Sequence, residues 1–269
     1  TDVARIDGAA DLRRAHTVGG VTVARPAVDI CTVAAGGGSV CGVEDGRLVV
    51  GPRSAGARPG PACYGAGGPL TLTDANLLLG RLVRERFEVP IDEGAARAAL
   101  SEVAGAAGSG TDADALLAGF VDLACERTSE AVRSISARRG FDPAEHALVA
   151  FGGAGPQVAC AVADRLGVRE VIVPADASLL SAVGLESARV ERSAERDVVE
   201  PLARAAGRLD ALVKELAGEA RSGWPAGTAT GRSERAARAF VRLIGQDAAL
   251  EIDALPADTL DERFREMYG

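Results

Sequence analysis

Glycines gather at two places in this sequence where an anion can bind. The first is the run Gly36, Gly37, Gly38 and Ser39, whose backbone N–H groups can form a nest for an anion or a substrate carbonyl. The second is FGGAGP at residues 151–156, where a glycine-rich turn before a helix presents unpaired N–H groups to a nucleotide. Neither is a G-x-G-x-x-G pattern, so a tight bend and a plain strand-to-helix turn stay open as alternatives.

Reactive side chains lie on both sides of the first glycine run and on the helices beyond it. Cys63, in the loop sequence GPACYG, can act as a nucleophile, ligate a metal or simply fill space. Asp29 can hold a magnesium ion or its waters, or else cap the turn that follows it. Asp74 is predicted as a helix N-cap, with a substrate or metal role as its alternative. Cys125 and Cys160 are predicted to lie in the core on apolar helix faces.

The elements that must position these groups predict an α/β fold. Residues 1–76 are rich in short β-branched runs and turns, and Asp45-Gly46 predicts a hairpin because both turn positions favour positive φ. Residues 74–139 carry the three- and four-residue apolar spacing of helices. Residues 146–174 predict a buried strand, a helix and a second buried strand, which form a parallel pair with a right-handed crossover.

The last part of the chain predicts a second domain. A helix near 201–221 is followed by a linker at 222–233, in which Trp224 is expected to anchor the linker to a neighbouring surface. Strand-like residues and the start of a helix come next. Because the chain begins TDVARIDG without a methionine and stops within an element, we expect a segment from the middle of a longer protein.

Composition narrows the class of protein. The formal net charge is −8 and the only lysine is Lys214, which argues against a nucleic-acid-binding face, since such a face needs clustered lysine and arginine. Five cysteines without a C-x-x-C pair favour a reducing, cytoplasmic location. No apolar run approaches the ~18 residues that a membrane span requires.

Longer motifs resemble the hydantoinase A / 5-oxoprolinase family, which includes the β-type subunits of acetone carboxylases. They are VDICTVAAGGGSV, GRLVVGPRSAGARPGPACYGAGG with LTDANLLLGRL after it, and ALVAFGGAGPQVACAVADRLGV, in the family's order and spacing. TDVARI is similar to the tail of the family's GGTSTDV motif, and VRLIGQDAALEID to its RYxGQxxEL segment. The resemblance implies an N-terminally truncated ATPase lobe at 1–195 and the start of a C-terminal α+β hydantoinase A domain at 196–269.

The fold implied by this resemblance is an actin-like ATPase of the sugar-kinase/Hsp70 type, in which two lobes clamp ATP and a divalent metal such as Mg²⁺. The family's first phosphate loop and its GGTS have no counterpart here, so this chain alone is expected to be inactive. Four positions match the family's adenosine turn: Gly152, Gly153, Ala154 and Gly155. Two further positions, Thr1 and Asp2, match its second phosphate loop.

The activity implied by the resemblance is ATP-dependent hydrolysis of a cyclic amide, together with a hydantoinase B-type partner subunit or domain. Phosphorylation of the lactam oxygen of 5-oxoproline or a hydantoin would make the carbonyl open to attack by water. In the ketone carboxylases of the family, the enolate oxygen and bicarbonate are phosphorylated instead. Two further alternatives are a degenerate, non-catalytic ATPase lobe that scaffolds a partner, and a Rossmann-type dinucleotide binder.

This chain departs from the family at both characteristic histidines. Where the family commonly reads DIHTVGAGGGS, Cys31 replaces the histidine, and where it reads FGGAGPLHA, the chain has Gln157 and Val158. The remaining histidines, His16 and His146, are predicted as surface or capping groups. Cys31 therefore joins Asp29 and Cys63 as a candidate catalytic group, and a thiolate pair of the two cysteines is one possibility.

Overall fold

A computed structural model describes most of the chain in two units, which are treated separately below. Contacts group the chain into Thr1–Ser187 and Ala188–Gly269. The predicted division at residue 195 concerns family domains and stays a prediction, and the predicted anchor Trp224 lies outside the described residues. The described residues are 1–13, 15–18, 20–23, 27–87, 89–108, 110, 112–223, 234–254 and 256–269.

Both units mix strands with helices, which confirms the predicted α/β class at that level. The strands of the first unit are β1 (Asp2–Ala4), β2 (Ile6–Asp7), β3 (Ala9–Ala10), β4 (Leu12–Arg13), β5 (His16–Val18), β6 (Val21–Val23), β7 (Ala27–Val28), β8 (Ile30–Thr32), β9 (Ser39–Glu44), β10 (Arg47–Ser54), β11 (Leu148–Val149) and β12 (Val171–Ile172). Its helices are α1 (Leu72–Leu78), α2 (Glu93–Ala107), α3 (Ala113–Ala137), α4 (Gly155–Leu166) and α5 (Leu180–Glu186). The second unit contains α6 (Leu202–Ser222), β13 (Arg238–Val241), β14 (Leu250–Asp253) and α7 (Leu260–Tyr268).

The N-terminal strands form a series of short antiparallel pairs. β1 pairs with β8, with Asp2 opposite Thr32, and the strands between them pair as β2–β3, β4–β7 and β5–β6. β9 and β10 form the predicted hairpin, in which Asp45 (φ 49°) and Gly46 (φ 71°) occupy the left-handed region. The hairpin is therefore confirmed down to its two turn residues.

The long helix α3 forms the centre of the first unit's core. Its buried face includes Leu117, Phe120 and Ala124, which recur at the predicted spacing and pack with residues of the β9–β10 hairpin, α1 and α4. Gly119 allows a close approach, because a Cβ there would lie 2.5 Å from Leu48 Cδ1. The predicted helical region is confirmed, although it is divided between α1, α2 and α3.

The predicted strand–helix–strand unit is confirmed in its element order and parallel pairing but not in its burial, and the right-handed crossover stays a prediction. β11 and β12 are parallel, and α4 connects them and ends at Gly167 in the left-handed conformation. The prediction of buried strands was wrong: Val149 is 50% exposed and Ile172 41% exposed. Within the described part of this unit, the pair has no further strand beside it, so each strand keeps an open edge.

Cys160 corrects a second expectation. The buried residues of α4 are Ala159, Val162, Ala163 and Leu166, which follow the spacing of a single helical stripe. Cys160 follows Ala159 and is rotated about 100° away from that stripe, so its side chain is exposed. Cys125, by contrast, is buried on α3 as predicted.

The second unit has a small core of its own. β13 and β14 pair antiparallel, with Phe240 opposite Glu251. The buried side chains of Ile252, Leu260 and Phe264 join β14 to α7, and Leu202 and Leu209 of α6 pack against them. Among the described residues of both units, no helix is long and apolar enough to cross a membrane.

Candidate functional site

Backbone hydrogen bonds hold Thr1 against the strand that leads into the first glycine run. Its backbone nitrogen donates to Val33 O (2.9 Å), its Oγ1 donates to Ala35 O (2.8 Å), and Val33 N donates to Thr1 O (2.7 Å). The β1–β8 pairing thus continues as far as the residue before Gly36. Thr1 therefore lies beside the glycine run that contributes the candidate nest.

The glycine run forms a closed turn that the N-terminus of α1 touches. Gly36 N donates to Ser39 Oγ (3.0 Å), and Ser39 N donates to Gly36 O (2.9 Å). Thr73 donates both its N–H and its Oγ1 to Gly37 O, each at 3.0 Å. A Cβ at Gly37 would lie only 2.7 Å from Thr73 Oγ1, so packing against α1 excludes a side chain there. The N–H groups of Gly37 and Gly38 find no acceptor in the described part of the chain.

The second glycine turn leaves donors at the start of α4. Gly152 has φ 80°, and its N–H donates to Ala177 O (2.8 Å). The next three N–H groups, of Gly153, Ala154 and Gly155, find no acceptor among the described residues. A Cβ at Gly153 or Gly155 would meet nothing within 4 Å. The fold itself therefore has room for side chains at these two glycines, and the turn combines open space with the free donors of a helix N-terminus.

The two glycine turns are neighbours in space. A Cβ at Gly37 would lie 3.8 Å from Ala154 Cβ, which is an ordinary van der Waals contact. Thr1, the first run and the second turn thus come together, although more than a hundred residues separate the two turns. Such a grouping of backbone donors can bind a polyanionic ligand.

Two side chains that sequence reasoning had not assigned to the site connect α1 to the second turn. Asn76 Nδ2 donates to Gln157 Oε1 (2.9 Å), and Gln157 Nε2 donates to Gly153 O (2.7 Å). Asn76 is only 4% exposed, and its Oδ1 has no hydrogen-bond donor among the described residues. The signal available in the sequence was the position of Asn76 within LTDANLLLGRL and of Gln157 directly after FGGAGP.

Asp74 lies two residues before Asn76 on α1, but its hydrogen bonds give it a structural role. The helix N-cap is Thr71, and Asp74 is the third residue of α1, so the N-cap prediction was wrong by three residues. Its carboxylate is fully buried and accepts from the N–H groups of Ala62 (3.1 Å), Cys63 (2.7 Å) and Thr71 (2.8 Å), and from the Thr71 hydroxyl (2.8 Å). Asp74 therefore fastens the GPACYG loop to α1.

Cys63 is fully buried in that loop. Burial raises the pKa of its thiol to about 12, and the nearby Asp74 carboxylate adds to the shift. The side chain packs against Leu77 and Ala96. A buried thiol with a raised pKa is a poor nucleophile near neutral pH, which favours the space-filling alternative for Cys63, and its catalytic role stays a prediction.

Comparison with known proteins places the chain in a family. The profile of the hydantoinase/oxoprolinase family matches residues 1–194. The chain belongs to that family. The resemblance seen in its sequence motifs is thereby confirmed.

The relatives of this hydantoinase/oxoprolinase chain are much longer than the chain. It is 43% identical over 228 residues to the 5-oxoprolinase PfmaA of Pestalotiopsis fici, which covers 80% of this chain but 18% of that protein. It superposes on nucleotide-free acetone carboxylase with a TM-score of 0.72 and 25% identity, covering 97% of this chain and 40% of the other. For the ATP-dependent caprolactamase of Pseudomonas jessenii the TM-score is 0.66 and the identity 29%, covering 92% and 38%. The chain thus spans less than a fifth of the 5-oxoprolinase.

Asp29 lies away from the glycine turns of this family member. It is buried in the N-terminal ribbon, which is the set of paired strands β1 to β8. Its Oδ1 lies 2.8 Å from Arg13 Nε without hydrogen-bond geometry, and its N–H donates to Asp11 O. The Arg13 guanidinium thus already balances its charge. The described residues contain no group of three or more His, Cys, Asp or Glu side chains placed to hold a metal. The structure gives no support to Asp29 as a magnesium ligand.

The position of the family's first histidine is a half-buried strand residue. Cys31 lies in β8 opposite Val3 of β1, five residues before Gly36. Cys63 lies on another element, and the structure records no disulfide for either thiol. The predicted pair of thiolates has no support here, because Cys63 is held protonated. The catalytic role of Cys31 stays a prediction.

The ring nitrogens of the two remaining histidines both lie within hydrogen-bond distance of arginine residues in the N-terminal part of the chain. His146 Nε2 accepts from Arg5 Nε (3.2 Å), and its ring packs edge-on against Phe141. The buried Arg5 also pairs with Asp7 and Asp11. His146 is therefore half-buried in a charged cluster and not a simple surface group, whereas His16 Nε2 lies 3.0 Å from a backbone carbonyl, Arg13 O.

Proposed function

We propose that the natural protein containing this chain is an ATP-dependent hydrolase of cyclic amides, and that this chain supplies part of an actin-like ATPase lobe. The observation that carries the proposal is the contact between two glycine turns that both present free backbone donors. Further support comes from family membership and from the likeness to the ATP-dependent caprolactamase.

The residues present fit a nucleotide in one respect that the fold alone does not explain. Gly153 and Gly155 have open space where side chains would lie, so ligand volume is a reason for glycine at these positions. ATP would be held by the free N–H groups of Gly153, Ala154 and Gly155 at its adenosine side, and by those of Gly37 and Gly38 with Thr1 nearby. When bound, ATP supplies the phosphoryl group that activates the lactam oxygen.

The chain's own residues prepare the site before any chemistry occurs. Thr73 holds Gly37 by two hydrogen bonds, and Thr1 extends the strand that leads into the first run. These bonds fix donors in advance, so little reorganisation is needed when charge builds up on the transferred group. Magnesium stays part of the proposal, and we derive no step through it. Asp2, which matches the family's second phosphate loop, is exposed.

A hydantoinase B-type subunit or domain is the proposed partner. The exposed side chains of Val149 in β11, Ile172 in β12 and Val173 directly after β12 leave apolar surface on this strand pair. Such surface is what a subunit or a further domain would cover. The proposed substrate is a small cyclic amide held between the two components.

A test of the function uses the natural protein with whatever subunit co-purifies. ATP hydrolysis should rise on addition of 5-oxoproline, a hydantoin or caprolactam, and the ring-opened product should appear in equal amount. Absence of ATP binding in calorimetry would refute the enzyme and favour a non-catalytic scaffold. A dinucleotide that raises the melting temperature where ATP does not would favour a Rossmann-type binder.

Ketone carboxylation is the second candidate, because acetone carboxylase superposes over 97% of this chain. Both reactions consume ATP, but carboxylation also requires bicarbonate, whereas ring opening requires water as the second reactant. ATP turnover that depends on both a ketone and bicarbonate, and is indifferent to lactams, would decide in its favour.

A further inference from the structure

The side-chain amides of Asn76 on α1 and Gln157 on α4 form a hydrogen-bonded relay from α1 to the second glycine turn. The orientation of both amides in this relay is fixed. Gly153 O can only accept, so the Gln157 atom that lies 2.7 Å from it must be the donor Nε2. Gln157 Oε1 then faces Asn76, which must donate through Nδ2. Asn76 Oδ1 is left as a buried acceptor without a donor in the described part of the chain. Turning either amide over would place two acceptors, or two donors, against each other.

This orientation also fixes a peptide group of the turn. The bond between Gly153 and Ala154 is trans, so the C=O of Gly153 and the N–H of Ala154 point in opposite directions. Because the carbonyl is held toward Gln157 on α4, the Ala154 N–H is held away from the helix. That N–H is one of the three without an acceptor, and Ala154 is the residue next to Gly37.

We propose that Gln157, oriented by Asn76, is a positioning residue that fixes the Gly153–Ala154 peptide so that its N–H faces a bound nucleotide. This inference rests on the proposed function. The common family reading FGGAGPLHA has a leucine where Gln157 stands, and leucine could not make these two hydrogen bonds. A buried Oδ1 without a donor disfavours folding, so stability does not explain why an asparagine stands at position 76. A role in ligand binding does explain it.

Asn76→Leu gives the sharpest test, because leucine has nearly the same shape as asparagine but no polar atom. In the natural protein, the variant should keep or raise its melting temperature while the Kd for ATP rises by about fivefold. The KM for the lactam and the kcat at saturating ATP should stay within about twofold. A purely structural Asn76 would show the reverse: lower stability and unchanged ATP affinity.

Gln157→Met is the second variant and protects the test from a misfolded first one. Gln157 is only half-buried, and methionine keeps its length while removing both hydrogen bonds. The Kd for ATP should rise by about fivefold. The double variant should bind ATP no more weakly than either single variant, because both substitutions interrupt the same relay from Asn76 through Gln157 to Gly153 O. Gln246→Met provides the matched control, because Tyr268 is the one hydrogen-bond partner of the Gln246 side chain among the described residues, and both lie in the second unit.

The outcomes separate the two proposals. Tight ATP binding by the natural protein, with unchanged Kd in both variants, would overturn the positioning role and leave the ATPase proposal intact. If the natural protein binds no ATP at all, the proposed function fails first. Equal losses in the Gln246→Met control would also overturn the inference, because the effect would then not belong to the relay.

Discussion

Asp74 and Asn76 lie two residues apart on α1, yet their polar groups are treated in opposite ways. Asp74 is fully buried, and its carboxylate accepts four hydrogen bonds. Asn76 is almost as buried, but its side-chain Oδ1 has no donor among the described residues. Through Gln157, Asn76 is connected to the second glycine turn, whose N–H groups at Gly153, Ala154 and Gly155 also lack partners there. A closed set of hydrogen bonds stabilises a fold, whereas an open set in the same core is costly unless a ligand completes it.

Removal of the closed set should have the largest effect. Asp74→Ala would leave three buried N–H groups and the Thr71 hydroxyl without their acceptor, so we expect unfolding to become easier by about 4 kcal/mol. Denaturant titration of the purified chain measures this loss. Asp164→Ala, at an exposed position of α4, should change stability by less than about 0.5 kcal/mol. A loss below 1 kcal/mol at Asp74 would contradict its role as a fastening point.

Gly37 contacts both the start of α1, at Thr73, and the second glycine turn, at Ala154, so a side chain there should lower stability as well. A Cβ would lie 2.7 Å from Thr73 Oγ1, and Gly37→Ala should destabilise the chain by about 2 kcal/mol through overpacking. Gly36→Ala is the matched control, because its nearest neighbour, Thr1 N, would be 3.8 Å away. Equal thermal stability of the two variants would show that α1 can move aside.

Local patterns predicted the parts of the fold that depend on neighbouring residues. The Asp45-Gly46 turn and the apolar face of α3 are set by φ preferences and by helical spacing. The relay from Asn76 to Gln157 spans 81 residues, so no local rule could pair them. The same limit explains Cys63: its loop has the turn residues of a surface segment, and only the distant Asp74 shows that the loop is held inward.

The site was predictable from the sequence to a different degree. The glycine turns were recognised individually from the sequence, and the family resemblance assigned only the second of them, together with Thr1 and Asp2, to the nucleotide. Their contact through Gly37 and Ala154 is a property of the fold. Asp29 was a candidate because it lies near a glycine run, and no local rule could show its ion pair with Arg13, which lies in another strand of the ribbon. Its metal role stays a prediction.

The closed region should also respond to pH. The folded-state pKa of Cys63 is about 12 against an ordinary 9.0, so above pH 9 the unfolded chain loses this proton before the folded chain does. Stability should therefore fall as pH rises from 9 toward 12, by up to about 1.4 kcal/mol per pH unit for this thiol. Comparing unfolding of the chain with that of Cys63→Ala between pH 8 and 10.5 measures the difference. Parallel pH slopes would contradict a buried, protonated thiol.

The open region should respond to a side chain in the opposite way from Gly37. A Cβ at Gly153 meets nothing in the fold, so Gly153→Ala should leave the melting temperature within about 1 °C while weakening ATP binding by about threefold, as the methyl group takes space meant for the ligand. Gly207→Ala on α6 is the control, since its Cβ also meets nothing. Calorimetry with ATP decides between them. If Gly153→Ala bound ATP as tightly as the natural protein, the empty space beside the turn would have no connection to the nucleotide, and free donors alone would not identify a site.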